Sequence, residues 1–229
     1  MAPNAFGKVW LPAVALLTIV GLSILMRCPL QENTAVVAAA ASSDGYSKQR
    51  RRMVETQIAA RGIKDKSVLA AMRKVPRHDF VPRERRREAY YDWPLPIGHG
   101  QTISQPYIVA LMTELLKPKS TDRILEIGTG SGYQAADLAE IVKEVRTIEI
   151  IKALGARAKK TLGEKYPKKV KVKTADGYYG WEEGAPYDGI IVTCAANNIP
   201  PPLIRQLKEG GRMVIPVGSA FYTQNLLLV

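Results

Sequence analysis

Residues Arg123 to Gln134 read Arg-Ile-Leu-Glu-Ile-Gly-Thr-Gly-Ser-Gly-Tyr-Gln. An apolar run ends in three glycines at alternate positions, and a helical pattern follows from Tyr133 to Val142. A glycine turn that follows a strand and opens a helix is the context of a nucleotide site. Glycine lets the backbone turn sharply and meet a ligand with no Cβ in the way. The spacing of Gly128, Gly130 and Gly132 differs from the dinucleotide fingerprint Gly-x-Gly-x-x-Gly. Phosphate cradles usually carry a basic residue. Here an acid, Glu126, stands just before the glycines instead. A carboxylate at that point repels a pyrophosphate and suits a cationic amino-acid ligand.

Outward from this turn the chain alternates. Strands are predicted at Arg123 to Gly128, Val145 to Ile150, Val170 to Thr174, Asp188 to Thr193 and Arg212 to Val217. Helices are predicted at Tyr133 to Val142, Leu154 to Lys165 and Pro202 to Leu207. Alternation with short connections implies an α/β fold, a doubly wound, mostly parallel sheet with helices on both faces. Glu149 ends the second strand, 17 residues after Gly132, about where an acid binds ribose hydroxyls in such sheets. Asp176-Gly177 follows the third strand, where an adenine amino group would lie. Acids at three successive strand ends suit S-adenosylmethionine better than any phosphate-bearing cofactor. A purely structural turn explains the glycines but leaves the acids without a purpose.

Upstream, Met53 to Met72 reads as two short helices broken by Gly62, and Val75 to Pro82 is bracketed by prolines and cannot be a helix interior. Tyr90 to Gly100 reads as a loop by its Pro and Gly content. A helix is predicted from Ser104-Gln105-Pro106, with Ser104 or Gln105 near the cap, and Pro118 closes it. Residues 47–90 carry 14 Lys/Arg against 5 Asp/Glu, most of the chain's formal charge of +12. No aromatic residue interleaves Lys48 to Arg61, so this basic run reads as a solvated helix face and no nucleic-acid partner is expected.

The chain has 229 residues, 46% hydrophobic and 24% charged, which excludes wholesale disorder and bounds it to one domain or one domain plus a tail. Two cysteines and two histidines exclude a disulfide scaffold and a cysteine-built or multi-histidine metal site, so no metal is expected. Lys8 precedes an uncharged stretch of 18 residues, Val9 to Met26, between a signal-peptide core and a short membrane span in length. Ala35 to Ser42 offers small residues suited to signal peptidase. Residues 1–41 therefore read as a signal peptide or membrane anchor, 42–52 as a basic linker and 53–229 as the catalytic domain. Export, periplasmic or membrane-anchored, is expected, with membrane contact only through residues 9–26. Asn225 to Val229 reads as the start of a further strand, which suggests that the sequence is truncated there.

Residues from about Met53 to Val229 resemble the protein-L-isoaspartate (D-aspartate) O-methyltransferases. The resemblance is carried by Val81-Pro82, Pro94-Leu95-Pro96-Ile97-Gly98, Gly100 to Pro106 (GQTISQP), Leu125 to Gln134, Asp188 to Ala196 and Pro216-Val217-Gly218. The glycine turn is common to many methyltransferases, whereas GQTISQP placed before it is far more specific. The resemblance implies a Rossmann-like S-adenosylmethionine-dependent methyltransferase, with an N-terminal helical and substrate-loop part at 53–118 and the core at 119–229. It implies that Glu126, Gly128, Gly130, Gly132, Glu149, Asp176 and Gly177 hold the cofactor and that Ser104 is the active-site residue. Gln101, Thr102, Ile103, Thr193 and Ala195 would face the substrate, an isoaspartyl protein or peptide. A monomer is expected, and the family's usual compartment, the cytoplasm, is the alternative to export. Asn197-Asn198 depart from the family's small or proline residues, and the family's last strand, beyond Gln224, is expected to be missing.

The implied substrate carboxylate is already ionised at neutral pH, with a reference value near ~3.5. The methyl donor is an activated sulfonium. No general base is required, which leaves His99 without a proton to remove and Cys194 as a packed thiol. The rival readings are a methyltransferase for a small molecule or RNA, and a non-catalytic protein at a membrane surface.

Overall fold

The computed structural model describes residues 45–219 and 223–229. The signal-peptide, cleavage and export readings fall on residues 1–41 and lie outside the described part. Among the described residues, no helix is long and apolar enough to cross a membrane.

Residues 45–52, expected to be a basic linker, are helical. They run into a wider π-type segment, Met53–Ile58, and a 3-10 turn, Ala59–Arg61, closed by Gly62 at φ +100°. Helix α1, Lys66–Lys74, starts where the Asp65 side chain accepts from the N–H groups of Ser67 and Val68. The proline-bracketed stretch forms a 3-10 turn, Arg77–Phe80.

The Tyr90 to Gly100 stretch is not all loop. Leu95–Gly98 (β1) pairs antiparallel with Gln101–Ile103 (β2). Leu95 and Ile97 are buried while Pro96 and Gly98 are exposed, and that alternation is what the prolines disguised. The turn between them, Gly98-His99-Gly100, has φ values of +90°, +55° and +70°. Arg157 holds the hairpin onto the core by donating to the Ile97 carbonyl at 2.7 Å. Helix α2, Pro106–Leu116, follows with Gln105 as its N-cap residue and ends at Lys117, in the left-handed region at φ +52°.

The main sheet contains β3 (Arg123–Ile127), β4 (Glu144–Glu149), β5 (Val170–Thr174), β6 (Tyr187–Val192), β7 (Leu207–Val217) and β8 (Asn225–Leu228). Their spatial order is β5-β4-β3-β6-β7-β8, parallel except for β8. The further strand expected at Asn225 to Val229 is present as β8 and pairs antiparallel with β7. Helices α3 (Tyr133–Ile141) and α4 (Lys152–Lys165) join the first three strands, and α5 (Pro201–Gln206) precedes β7. Strand side chains alternate between the two faces. Ile124, Ile191 and Val214 join the larger core beneath α1 to α4, whereas Leu125, Ile190, Met213 and Ile215 join a second cluster with Leu203 of α5.

This order positions the site. From β3 the chain moves outward to β4 and β5, then crosses back to β6 on the other side of β3. The connections diverge at the carboxyl ends of β3 and β6, which is where open α/β sheets leave a crevice.

Candidate functional site

A cavity of about 490 Å³ occupies that crevice. Four strand ends build it: Gly128 and Gly130 after β3, Glu149 to Ile151 after β4, Asp176 to Tyr178 after β5, and Thr193 to Asn198 after β6. Gln101 and Thr102 of the hairpin close one side. The sequence reading missed Ile150, 66% exposed beside Glu149, and Leu203 on the opposite lining. An isoleucine left in solvent next to a buried acid is a local signal for a ligand face.

The glycines have different reasons to be glycine. Gly128 has φ +96°, and a Cβ there would lie 2.9 Å from Thr193 Oγ1. Gly132, at φ +89°, opens α3 with Leu162 Cδ1 3.0 Å from where its Cβ would be. A Cβ on Gly130 would make only ordinary contact, 3.5 Å from Ile97 Cδ1, so within the protein the constraint there is its φ of +53°. Gly177 is required by packing, since a Cβ would meet Ile127 Cγ2 at 2.4 Å.

Of the three acids, two line the cavity. Glu149 accepts from the Gly130 N–H at 2.7 Å and from the Ile151 N–H at 2.9 Å. Asp176 accepts from the Tyr178 N–H at 2.9 Å. Glu126 lies within β3, fully buried, and faces a separate pocket of about 40 Å³ beneath the glycine turn. Neither of its oxygens makes a hydrogen bond of normal geometry among the described residues, and burial pushes its pKa up to about 8, opposed by the nearby Thr147 hydroxyl and aided by Glu149. It thus sits under the glycine turn, in a pocket it shares with Gly128 and Gly130.

Ser104 also lines that small pocket, together with Thr102 and Ile103. It opens on its other side to a groove of about 280 Å³ shared with Thr193, Cys194 and Ala195. It does not cap α2, whose N-cap is Gln105. Gln105 and the Tyr107 N–H both bond to Asp92, which fixes the chain just after Ser104. No hydrogen bond engages the Ser104 hydroxyl among the described residues, so it remains free for a ligand. Thr193 Oγ1 donates to the Gly128 carbonyl at 2.6 Å, joining the ends of β3 and β6. Cys194 sits on both cavities, with burial pushing its thiol up and away from thiolate character.

The donor set fits an adenosyl group without phosphate. Among the described residues, the larger cavity is lined by two acids, neutral polar and apolar side chains, and no lysine or arginine. Carboxylates can accept from ribose hydroxyls and an adenine amine, and they oppose a phosphate. Asn197 and Asn198 line its rim.

The sequence model of the protein-L-isoaspartate (D-aspartate) O-methyltransferase family matches residues 48–229. The chain belongs to this family. A protein-L-isoaspartate O-methyltransferase of Opitutus terrae is 57% identical over 192 residues, covering 84% of this chain and 82% of that one. Its counterpart in Shewanella sediminis is 55% identical over 187 residues, 82% of this chain and 77% of that one. Among solved structures, a protein-L-isoaspartate O-methyltransferase aligns with a TM-score of 0.69 at 30% identity, over 78% of this chain and 59% of that one, less than two thirds of its length. A Plasmodium falciparum isoaspartate methyltransferase solved with S-adenosyl-L-homocysteine aligns with a TM-score of 0.67 at 27% identity, covering 78% of this chain and 88% of that one. The Rossmann-like methyltransferase fold is common to both, and the parallel sheet described above is that fold.

Proposed function

We propose that the chain is a protein-repair methyltransferase that moves a methyl group from S-adenosylmethionine to the free α-carboxylate of L-isoaspartyl residues in damaged proteins and peptides. One observation carries this reading. A serine hydroxyl with no hydrogen-bond partner among the described residues stands between the pocket under the glycine turn and an open groove. The names of the relatives and the ligand in the Plasmodium structure support it.

S-adenosylmethionine, when bound, supplies a methyl group already activated on a sulfonium. The chain's residues then have a positioning task. The turn at Gly128, Gly130 and Gly132 offers backbone to the amino-acid end, Glu149 accepts from the ribose, and Asp176 with Gly177 meets the adenine. Glu126 acts from beneath the turn rather than from the rim. Ser104 donates to the substrate carboxylate, and the backbone from Gln101 to Ile103 supports it. Ala195 and Thr193 form the facing wall, with the Thr193 proton committed to Gly128. In-line positioning of this kind supplies about 7–11 kcal/mol of a barrier. Paired isoaspartyl and aspartyl peptides incubated with labelled donor test the reading: label on the isoaspartyl peptide alone is expected. Label on both peptides, or on neither, refutes it.

The sequence features at Lys8, Val9 to Met26 and Ala35 to Ser42 support a second, separate proposal, export from the cytoplasm. Cell fractionation is expected to recover the protein in the periplasm or the membrane. Full-length soluble protein in the cytoplasm overturns it.

A further inference from the structure

Arg77 is fully buried and has no carboxylate within ion-pair distance among the described residues. Its Nε donates to the Ala89 carbonyl at 2.8 Å and its Nη2 to the Ser104 carbonyl at 2.7 Å. Its guanidinium lies over the Tyr133 ring, 4.8 Å from the centroid, in the first turn after Gly132. Nη1 has no partner. Asp137, a buried acid one helical turn beyond Tyr133, favours the guanidinium's charge, and burial raises its own pKa well above that of an ordinary carboxylic acid. Arg77 opposes that rise, but neither Asp137 oxygen has a hydrogen-bond partner among the described residues, so no carboxylate engages the guanidinium directly.

Burying a charge costs several kcal/mol unless it is repaid. Two carbonyl contacts alone do not need an arginine, because a neutral amide also donates hydrogen bonds. The excess is the charge, which lies one peptide unit from the hydroxyl of Ser104. A buried charge is screened much less by solvent than a surface one.

We propose that Arg77 is a positioning residue for the methyl-transfer reaction, pinning the Ser104 peptide and supplying the positive potential that favours an ionised carboxylate at the Ser104 hydroxyl. The proposal rests on the reading that Ser104 meets the substrate carboxylate. Arg77 also touches Tyr133, so the same side chain ties the substrate loop to the helix that follows the glycine turn. Gln105 and Tyr107, held by Asp92, fix the other flank of Ser104, and the hydroxyl between the two anchors has no hydrogen-bond partner among the described residues.

The test compares Arg77→Gln, which keeps an amide donor and loses the charge, with Arg77→Lys, which keeps the charge. Both are measured in the full chain with an isoaspartyl peptide, alongside calorimetric affinity for S-adenosylhomocysteine. Arg77→Gln is expected to raise the peptide KM by about tenfold or more, with S-adenosylhomocysteine affinity within about twofold of the wild type. Arg77→Lys is expected to restore most of the peptide KM. A lysine variant as impaired as the glutamine variant removes the role of charge and overturns the proposal. So does a loss of peptide and S-adenosylhomocysteine binding in parallel, or failure of both variants to bind S-adenosylhomocysteine, since either assigns Arg77 to the scaffold. Wild-type enzyme that does not methylate the isoaspartyl peptide refutes the functional reading itself, an outcome distinct from all of these.

Discussion

Glu149 accepts a 2.7 Å hydrogen bond from the backbone N–H of Gly130, so one carboxylate links the end of β4 to the glycine turn after β3. Its other oxygen accepts from the Ile151 N–H, which sets the start of α4. The acid therefore shapes the cofactor cavity as well as lining it. Glu149→Ala leaves the Gly130 N–H without its acceptor and removes any bond to the ribose. Hydrogen bonds to a charged group contribute about 1.5–3 kcal/mol. S-adenosylhomocysteine affinity should fall by about 10- to 100-fold in a calorimetric titration. Affinity equal to wild type would place the ribose elsewhere.

The glycines of the turn should not respond alike. Gly128→Ala forces a side chain to φ +96° and 2.9 Å from Thr193 Oγ1, the atom that holds the turn to β6. A side chain in the left-handed region alone costs roughly 1–2 kcal/mol. Gly130→Ala, at φ +53° with 3.5 Å to Ile97 Cδ1, is milder inside the protein. Gly128→Ala should lower the melting temperature more than Gly130→Ala does. Any loss of cofactor affinity in Gly130→Ala should come without a comparable loss of stability. Reversed melting shifts would contradict this ranking.

The core of the fold was legible because its signals are local. Apolar strands such as Arg123–Ile127 alternate with amphipathic helices, and each boundary fell within three residues of its prediction from β3 to α4. The hairpin at Leu95–Ile103 was hidden, since prolines and glycines mark loops and strand edges alike, and only pairing tells them apart. The site was legible at Gly128, Glu149, Asp176 and Ser104, which reach the two cavities from strand and loop ends. For Glu126, sequence position before a turn does not say whether the side chain points outward or into the fold, and the chain turns it inward, beside Gly128 and Gly130. Arg77 could not be singled out. Within a run of basic residues nothing marks the one that is buried, as only the folded chain brings Ala89, Ser104 and Tyr133 around it.

Glu126 makes stability depend on pH. Its folded pKa of about 8 lies above the ordinary carboxylate value, because burial disfavours the charged form. Between those two values the folded chain keeps the proton and the unfolded chain does not, so stability falls as pH rises through this window. Above about 8 the loss is complete. Glu126→Gln, which cannot ionise, should flatten this part of the profile and melt higher than wild type at pH 8. Melting curves of both proteins without cofactor, recorded between about pH 5 and 9, check it. Parallel profiles would mean that Glu126 finds a counter-charge in solution.

Ser104 and His99 separate positioning from acid–base chemistry. The Ser104 hydroxyl has no partner among the described residues, and Gln105, not Ser104, is the N-cap of α2. Ser104→Ala should therefore leave the melting temperature and S-adenosylhomocysteine affinity nearly unchanged. It should lower kcat/KM for an isoaspartyl peptide by about 10- to 100-fold, the value of one hydrogen bond to a charged acceptor. His99 sits exposed in the hairpin turn at φ +55°, a conformation that asparagine adopts readily. His99→Asn keeps the turn and removes the imidazole. If no base is needed, this variant should retain a substantial rate. The wild-type rate should then show no limb in the imidazole range, about pH 6–7, and fall only as the substrate carboxylate or its contacts protonate. A neutral limb that vanishes in His99→Asn would show that a proton is being moved, and positioning alone would no longer account for the reaction.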